Sequence, residues 1–281
     1  MKLKHIFPVL SLVLIGAAQA QQQTAGLLSK RLANASSRTA SASQGDRAQI
    51  ITQASDTATP WVVNGDGMRT RYTLVNLENT AATYQIVFVT SEGTQYRVPW
   101  AGMDPTNVLR GTIQPNSTLE FVTDGHGETT QGWSLASATG ARVIFTAQNE
   151  RMIADGVWHS TSYYPSNSLS KKVKVRFDNR DGYTTKIIVN NLNTAGTRVA
   201  ITVRDADGNT IGELEGFMDA ANQYGIDVRE DFPLSQGLAG TIEIAIPTTN
   251  RSGVSALGVR LNSETGGIDM FDAFSTVAWS Q

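Results

Sequence analysis

The chain has 281 residues, no cysteine and a formal net charge of −2. A chain without cysteine has no disulfides, so hydrophobic cores of ordinary size must hold it, and its near-neutral balance offers neither the basic face that nucleic acid requires nor a polybasic membrane contact. With 17% charged and 40% hydrophobic residues, the composition is that of a soluble globular protein.

Lys2 and Lys4 open the chain, an apolar run follows from Ile6 to Ala18, and Ala18-Gln19-Ala20 is a small-x-small cleavage signal. This pattern predicts a Sec-type signal peptide over 1–20 with cleavage near Ala20, and so a secreted or periplasmic protein. The apolar run is short for a membrane span and no second one follows, so the mature chain is expected to lack a transmembrane segment. Residues 21–58 are rich in Gln, Ala, Ser and Thr and hold no aromatic residue. Such a segment buries too little apolar surface to offset its ordering entropy and is expected to be a disordered tail. Within it, Leu27, Leu28 and Leu32 fall on one side of a transient helix, although a passive spacer is the preferred reading.

From Trp61 onward the period changes to two. In "TYQIVFVT", Tyr84, Ile86 and Phe88 alternate with Gln85, Val87 and Val89; in "RVAITVRD", Val199, Ile201 and Val203 alternate with Ala200, Thr202 and Arg204. Both read as half-buried strands, and Leu74, Ile86, Phe88, Val189, Ile201 and Val203 are expected in the core. The two stretches belong to an internal repeat. "GMRTRYTLVNLENTAATYQIVFVTSEGT" from Gly67 lies over "GYTTKIIVNNLNTAGTRVAITVRDADGN" from Gly182 without a gap. Thr70 meets Thr185, Asn76-Leu77 meets Asn191-Leu192, and Gly93 meets Gly208. More loosely, "GARVIFTAQN" from Gly140 resembles "GVSALGVRLN" from Gly253, and "GWSLAS" from Gly132 falls where "GTIEIA" from Gly240 does.

A unit of about 100 residues is a duplicated domain rather than a solenoid module. Short alternating strands joined by Gly, Asn and Asp turns predict an all-β fold of two tandem antiparallel immunoglobulin-like or fibronectin-like β-sandwiches, over 59–165 and 173–281. "YYPSNSLSKK" (163–172) is the expected boundary. An outer-membrane barrel is rejected, because its aromatic girdles do not fit 7% aromatic residues. The strand–Asn-loop–strand–turn pattern, followed by a Gly-Trp strand, resembles tandem immunoglobulin-like surface repeats of uncharacterised secreted bacterial proteins. The second copy departs from that pattern, with Thr241 in the place of Trp133. The resemblance implies an extracytoplasmic, non-catalytic module.

Three groups of residues are candidates for chemistry. "RDADGNT" (204–210) has the look of a calcium loop, but the sixth and twelfth positions counted from Asp205 hold Thr210 and Gly216, where an EF-hand needs Gly and Glu. A hairpin turn is the preferred reading, with a weak surface calcium site as its alternative. His126, between Asp124 and Glu128, and His159, four residues after Asp155, match no metal-ligand or nucleophile signature, so no catalytic, cofactor or metal residue is assigned. Trp158, Tyr164, Trp100 and Trp133 are the candidate ligand-binding residues, because stacked aromatic rings suit sugar faces; core and interface packing is the preferred reading of these rings, and Trp61 and Trp279 complete the set. The function expected from these features is non-catalytic binding or scaffolding at the cell envelope, in adhesion or as a surface-assembly accessory. Its partner would be an envelope protein or polysaccharide, with no nucleic acid. A carbohydrate-binding module is the first alternative and a histidine-dependent hydrolase the second.

Overall fold

The computed structural model describes residues 56–154, 156–163, 165–167, 169–262 and 268–275. The expected signal peptide, the tail up to residue 55, Asp155, Tyr164 and Trp279 lie outside the described residues.

In chain order the first repeat forms β1 (Thr57–Asn64), β2 (Met68–Asn76), β3 (Ala82–Thr90), β4 (Val98–Trp100), β5 (Met103–Thr106), β6 (Val108–Ile113), β7 (Thr118–Val122), β8 (Thr130–Thr139), β9 (Val143–Ala154), β10 (Val157–Tyr163) and the two-residue β11 (Ser166–Asn167). The second forms β12 (Lys172–Asp178), β13 (Tyr183–Asn191), β14 (Thr197–Asp205), β15 (Thr210–Met218), β16 (Gln223–Asp227), β17 (Ala239–Ala245), β18 (Val254–Asn262) and β19 (Ile268–Ser275). A four-residue helix, α1 (Val228–Asp231), follows β16 and is capped by the Asp227 carboxylate. β1 begins at Thr57, so the last residues of the expected tail are part of the sheet, with Ala58 fully buried.

The first repeat sets a sheet β11-β1-β8-β3-β6 against a sheet β10-β9-β2-β7; the second orders its strands β15-β14-β17-β12-β19-β18-β13-β16. In the second, β19 pairs first with β18 and then with β12 and so joins the two layers. β10 and β11 divide that task in the first repeat, pairing with β9 and β1. Laid over one another, the two orders agree strand for strand, with the β4–β5 hairpin as an insertion in the first. The winding is nested, as in a jelly roll: β1 pairs with β8, β2 with β7, β3 with β6 and β4 with β5, and β12 with β17, β13 with β16 and β14 with β15. The all-β sandwich is what the alternation predicts. The strand order departs from the immunoglobulin scheme, which keeps its first two strands in one sheet; here β1 and β2 lie in opposite sheets.

Alternation places the cores as expected. Leu74, Ile86 and Phe88 are buried in the first repeat, and Val189, Ile201 and Val203 in the second. The residues the two copies share have the same structural duties in each. Asn76 Nδ2 donates to the carbonyls of Thr80 (2.8 Å) and Gln114 (3.0 Å), and its Oδ1 accepts from Glu78 N. Asn191 does the same with Ala195 (3.1 Å), Asp219 (2.8 Å) and Asn193 N. The Thr70 hydroxyl accepts from Val63 N and donates to Val63 O, as Thr185 does with Asp178. A Cβ on Gly132 would run into the Val89 carbonyl, and one on Gly240 into that of Arg204. The match of Gly132 with Gly240 therefore holds in register. The β9–β18 match is two residues out: Thr70 lies opposite Asn149 and Thr185 opposite Arg260, so Asn149 corresponds to Arg260. A slip of two keeps each side chain on its face.

The two sandwiches share a wide apolar contact. Ile188, Leu257 and Val259, on the outer face of β13-β18, join one buried cluster with Trp61, Val62 and Val63 of β1. Trp133, Val89, Leu135 and Ala58 form another with Leu192 and Ala221. Polar groups at this contact are satisfied across it. Trp133 Nε1 donates to Ala221 O (2.9 Å), Gln223 Nε2 to Pro60 O (2.8 Å) and Gly132 O (3.0 Å), and Asn190 Nδ2 to Pro60 O (3.0 Å). The described residues of the boundary segment are held at several points: the buried Tyr163 donates its hydroxyl to Trp61 O, β11 pairs with β1, and Ser170 O accepts from Val254 N.

Candidate functional site

The outer face of β10-β9-β2-β7 is built from the out-of-phase residues of strands whose in-phase residues fill the core. β2 contributes Arg69, Arg71 and Thr73; β9 contributes Glu150, Gln148 and Thr146; these pair row by row across the sheet. Trp158 and Ser160 of β10 extend the first rows, opposite Met152 and Glu150, and Glu120 of β7 stands opposite Thr73. The result is a flat polar platform along one side of the molecule.

Glu150 is its hub. The carboxylate is almost fully buried, yet both oxygens are engaged: Arg69 Nε donates to one and Arg71 Nε to the other at 2.8 Å. Arg71 Nη1 also reaches Glu120 at 3.1 Å. Burial pushes the Glu150 carboxyl up, but the hydrogen bonds and charges of the two arginines outweigh it and hold it below the ordinary range. The Arg69 guanidinium lies over the Trp158 ring at 3.7 Å from its centroid, a cation–π contact that fixes both side chains. The ring edge faces the loop after β7. At Gly125, where φ is +75°, a Cβ would sit 2.9 Å from Trp158 Cη2, so only glycine lets the loop approach this closely. Asn64 pins that loop by accepting from Gly125 N and donating to His126 O.

The structure separates the four sequence candidates. Trp158 is partly exposed on this face. Trp133 is fully buried between the repeats, and Trp100 is buried under the β4–β5 hairpin with its ring centroid 5.2 Å from that of Phe88. A ring enclosed in this way has no face to offer a sugar, so both serve packing here. Tyr164 lies outside the described residues. His126 is exposed on the pinned loop beside Trp158, and His159, also exposed, is on the opposite phase of β10 from Trp158. Among the described residues no group of three His, Cys, Asp or Glu side chains is placed to hold a metal ion. No helix among them is long and apolar enough to cross a membrane.

Arg69, Arg71 and Glu150 were not singled out from the sequence. Their signal is present in "MRTRYT" and "AQNER", where Arg69, Arg71 and Thr73, and Gln148 and Glu150, recur at every second position. What the sequence does not give is the pairing of β2 with β9, which brings these charges together. No family model, curated protein or solved structure matches the chain.

Proposed function

We propose that the protein is a non-catalytic binding or scaffolding protein of the cell envelope, secreted or periplasmic, which engages an envelope protein or polysaccharide through the β10-β9-β2-β7 face. The observation that carries this reading is the different treatment of one face in the two repeats. On the outer face of β13-β18, Ile188, Leu257 and Val259 are covered by the neighbouring sandwich. The counterpart face of the first repeat is polar, held in order by the Glu150 ion pairs, and partly exposed. The two arginines offset the cost of burying the Glu150 carboxylate, and the rigid, ordered side chains that result lower the entropy cost of binding. A carbohydrate-binding module is the second reading, favoured by the Trp158 ring, whose position is fixed by Arg69 and Gly125.

Pull-down from envelope extracts and a glycan array, with the natural chain and with Trp158→Ala and Arg71→Ala, test both readings. Loss of a bound partner in either variant is expected, with the melting temperature preserved in Trp158→Ala and lowered in Arg71→Ala, which leaves the buried Glu150 carboxylate with one of its two arginines. Loss of a sugar on Trp158→Ala supports the carbohydrate version. A partner retained by both variants would remove this face from the proposal.

A further inference from the structure

We propose that the second repeat carries a separate binding strip for a linear acidic polysaccharide, along the outer phase of β12. Lys172, Lys174 and Arg176 occupy alternate positions of that strand, and Arg180 follows in the turn after it. At two residues per step the strand spaces its cations by about 7 Å along a straight line. Their counter-charges are less exposed than they are, Glu243 standing opposite Lys174 on the neighbouring strand β17. The side chains of Lys172, Lys174, Arg176 and Arg180 are 46%, 44%, 55% and 51% exposed, whereas Glu243, shared by the two lysines, is 20% exposed and Asp178, shared by the two arginines, 3%. The carboxylates therefore position the cations, while the surface that a ligand meets is positive. In the first repeat the bulge of β1 between Thr59 and Val62 puts Ala58 and Trp61, both buried, in the places of Lys174 and Arg176, so the strip is particular to the second repeat.

The flanks of the strip select the class of ligand. Across the sheet the order is β12-β17-β14-β15, and the outward Glu213 and Glu215 of β15 lie in the rows of Lys174 and Lys172. Three strand spacings put that acidic edge about 14 Å from the cations. A narrow chain lying along β12 meets the positive row alone. A planar anionic membrane, or the broad backbone of a nucleic-acid duplex, would also meet the glutamates and be repelled. A polymer with carboxylates at regular intervals is the ligand that fits. Attraction of this kind is screened by salt.

The test is a titration of the full chain with polygalacturonate at low ionic strength, with neutral dextran and anionic phospholipid vesicles as comparisons. Expected are binding to polygalacturonate that weakens as salt is raised, none to dextran, and little to vesicles. The double variant Lys172→Gln/Lys174→Gln should weaken binding about three- to tenfold, the range for losing two exposed charge contacts, while Arg110→Gln, an exposed cation on the first repeat, leaves it unchanged. Both variants should melt as the natural chain does. Trp158→Ala should also leave this binding unchanged, which separates the strip from the face of the first repeat. Unchanged affinity in the double variant, equal binding of dextran or vesicles, or no binding of polygalacturonate at low salt would overturn the proposal.

Discussion

Arg69, Arg71 and Thr73 of the first repeat occupy the places of Thr184, Lys186 and Ile188 in the second, and Thr146, Gln148 and Glu150 those of Leu257, Val259 and Leu261. The two sets lie on the same face of the same sheet in the same winding. The first set is polar and partly exposed; in the second, Ile188, Leu257 and Val259 are apolar and covered, while Lys186 pairs with Asp227. The opposite faces are exchanged in turn: Trp133 and Val89 of the first repeat are buried against its neighbour, where the second has Thr241 and Arg204, and Thr241 is exposed. Each sandwich thus carries one apolar outer face, and the two faces meet head to tail. A contact of that kind would propagate from copy to copy; the charged outer face of the second repeat and the polar face of the first stop it at two. The fold is encoded by the phase of each strand that the copies share, and the assembly by the phase in which they differ.

The largest effect that would break this comparison is at Trp133. Trp133→Ala should destabilise the protein by about 3–5 kcal/mol, the range for a buried large aromatic, and Thr241→Ala by under about 0.5 kcal/mol, as for an ordinary surface site. Chemical denaturation should show one transition for the natural chain, because the apolar contact couples the sandwiches. Two well-separated transitions, or similar costs at the two positions, would show that the repeats are independent. Leu257→Ala against Thr146→Ala sharpens the same contrast on the other face, with about 2–5 kcal/mol expected at the leucine.

Shared residues should behave alike. Asn76→Ala and Asn191→Ala each leave several carbonyls without a donor and should each cost about 1–3 kcal/mol. Values that differ widely between the two would mean that the loops are not equivalent.

The sequence carried much of this. Alternation located the core phase of β3 and β14, and the gap-free match of Gly67 with Gly182 located the repeat. The contact between sandwiches was harder to read. Ile187-Ile188-Val189 breaks alternation because β13 is buried on both faces, a pattern that a lone strand shares with other causes. The change from Trp133 to Thr241 was visible as a departure, but a single tryptophan does not reveal whether it faces a ligand, a core or a neighbour. The boundary segment, with its Pro, Asn and Ser, has the composition of a linker and yet contributes β11 to a sheet, because two-residue pairing leaves no periodic trace. The Glu150 hub was hidden for a different reason: its partners lie on another strand, and register is set by tertiary packing.

A smaller contrast, one of sign, separates two carboxylates of the second repeat. The Arg180 hydrogen bond, ahead of the other arginine contacts, holds Asp178 down at about 2, whereas burial pushes Asp231 up to about 6 against the hydrogen bond from Asp227 N and the charge of Lys186, with the charges of Asp227 and Glu230 adding to the rise. A lowered carboxyl stabilises the fold above its unfolded pKa, near 3.9, and that contribution is lost as pH falls toward 2. A raised one works the other way: stability rises as pH falls from above 6 toward 4, because the folded state takes up the proton first. Asp231→Asn should flatten the rise between pH 7 and 4, and Asp178→Asn the loss below 4, in melting curves across that range. A rise that persists in Asp231→Asn would assign it to another group.

The smallest expected effect is at the turn that resembles a calcium loop. Asp205 Oδ1 accepts from Asp207 N (3.0 Å) and Asn209 N (2.8 Å), and Oδ2 from Asn209 Nδ2 (3.0 Å). The hydroxyl of Thr90 takes the matching donors in the first repeat, Glu92 N (3.3 Å) and Thr94 N (3.2 Å), and pairs with the Thr94 hydroxyl (2.9 Å). Gly93 and Gly208 close the two hairpins with φ of +84° and +88°, a conformation that glycine adopts without strain. A neutral hydroxyl and a carboxylate therefore do the same work, organising a turn through its own N–H groups. The Asn209 side-chain hydrogen bond, with the backbone donors of the turn, holds the Asp205 carboxyl below its ordinary range. Asp205→Thr should then leave the melting temperature unchanged, and millimolar calcium should leave that of both proteins where chelator leaves it. A rise of several degrees in calcium that disappears in Asp205→Thr would mean that the carboxylate has a second role its counterpart cannot fill, since a ligand bound only by the folded state raises its stability by mass action.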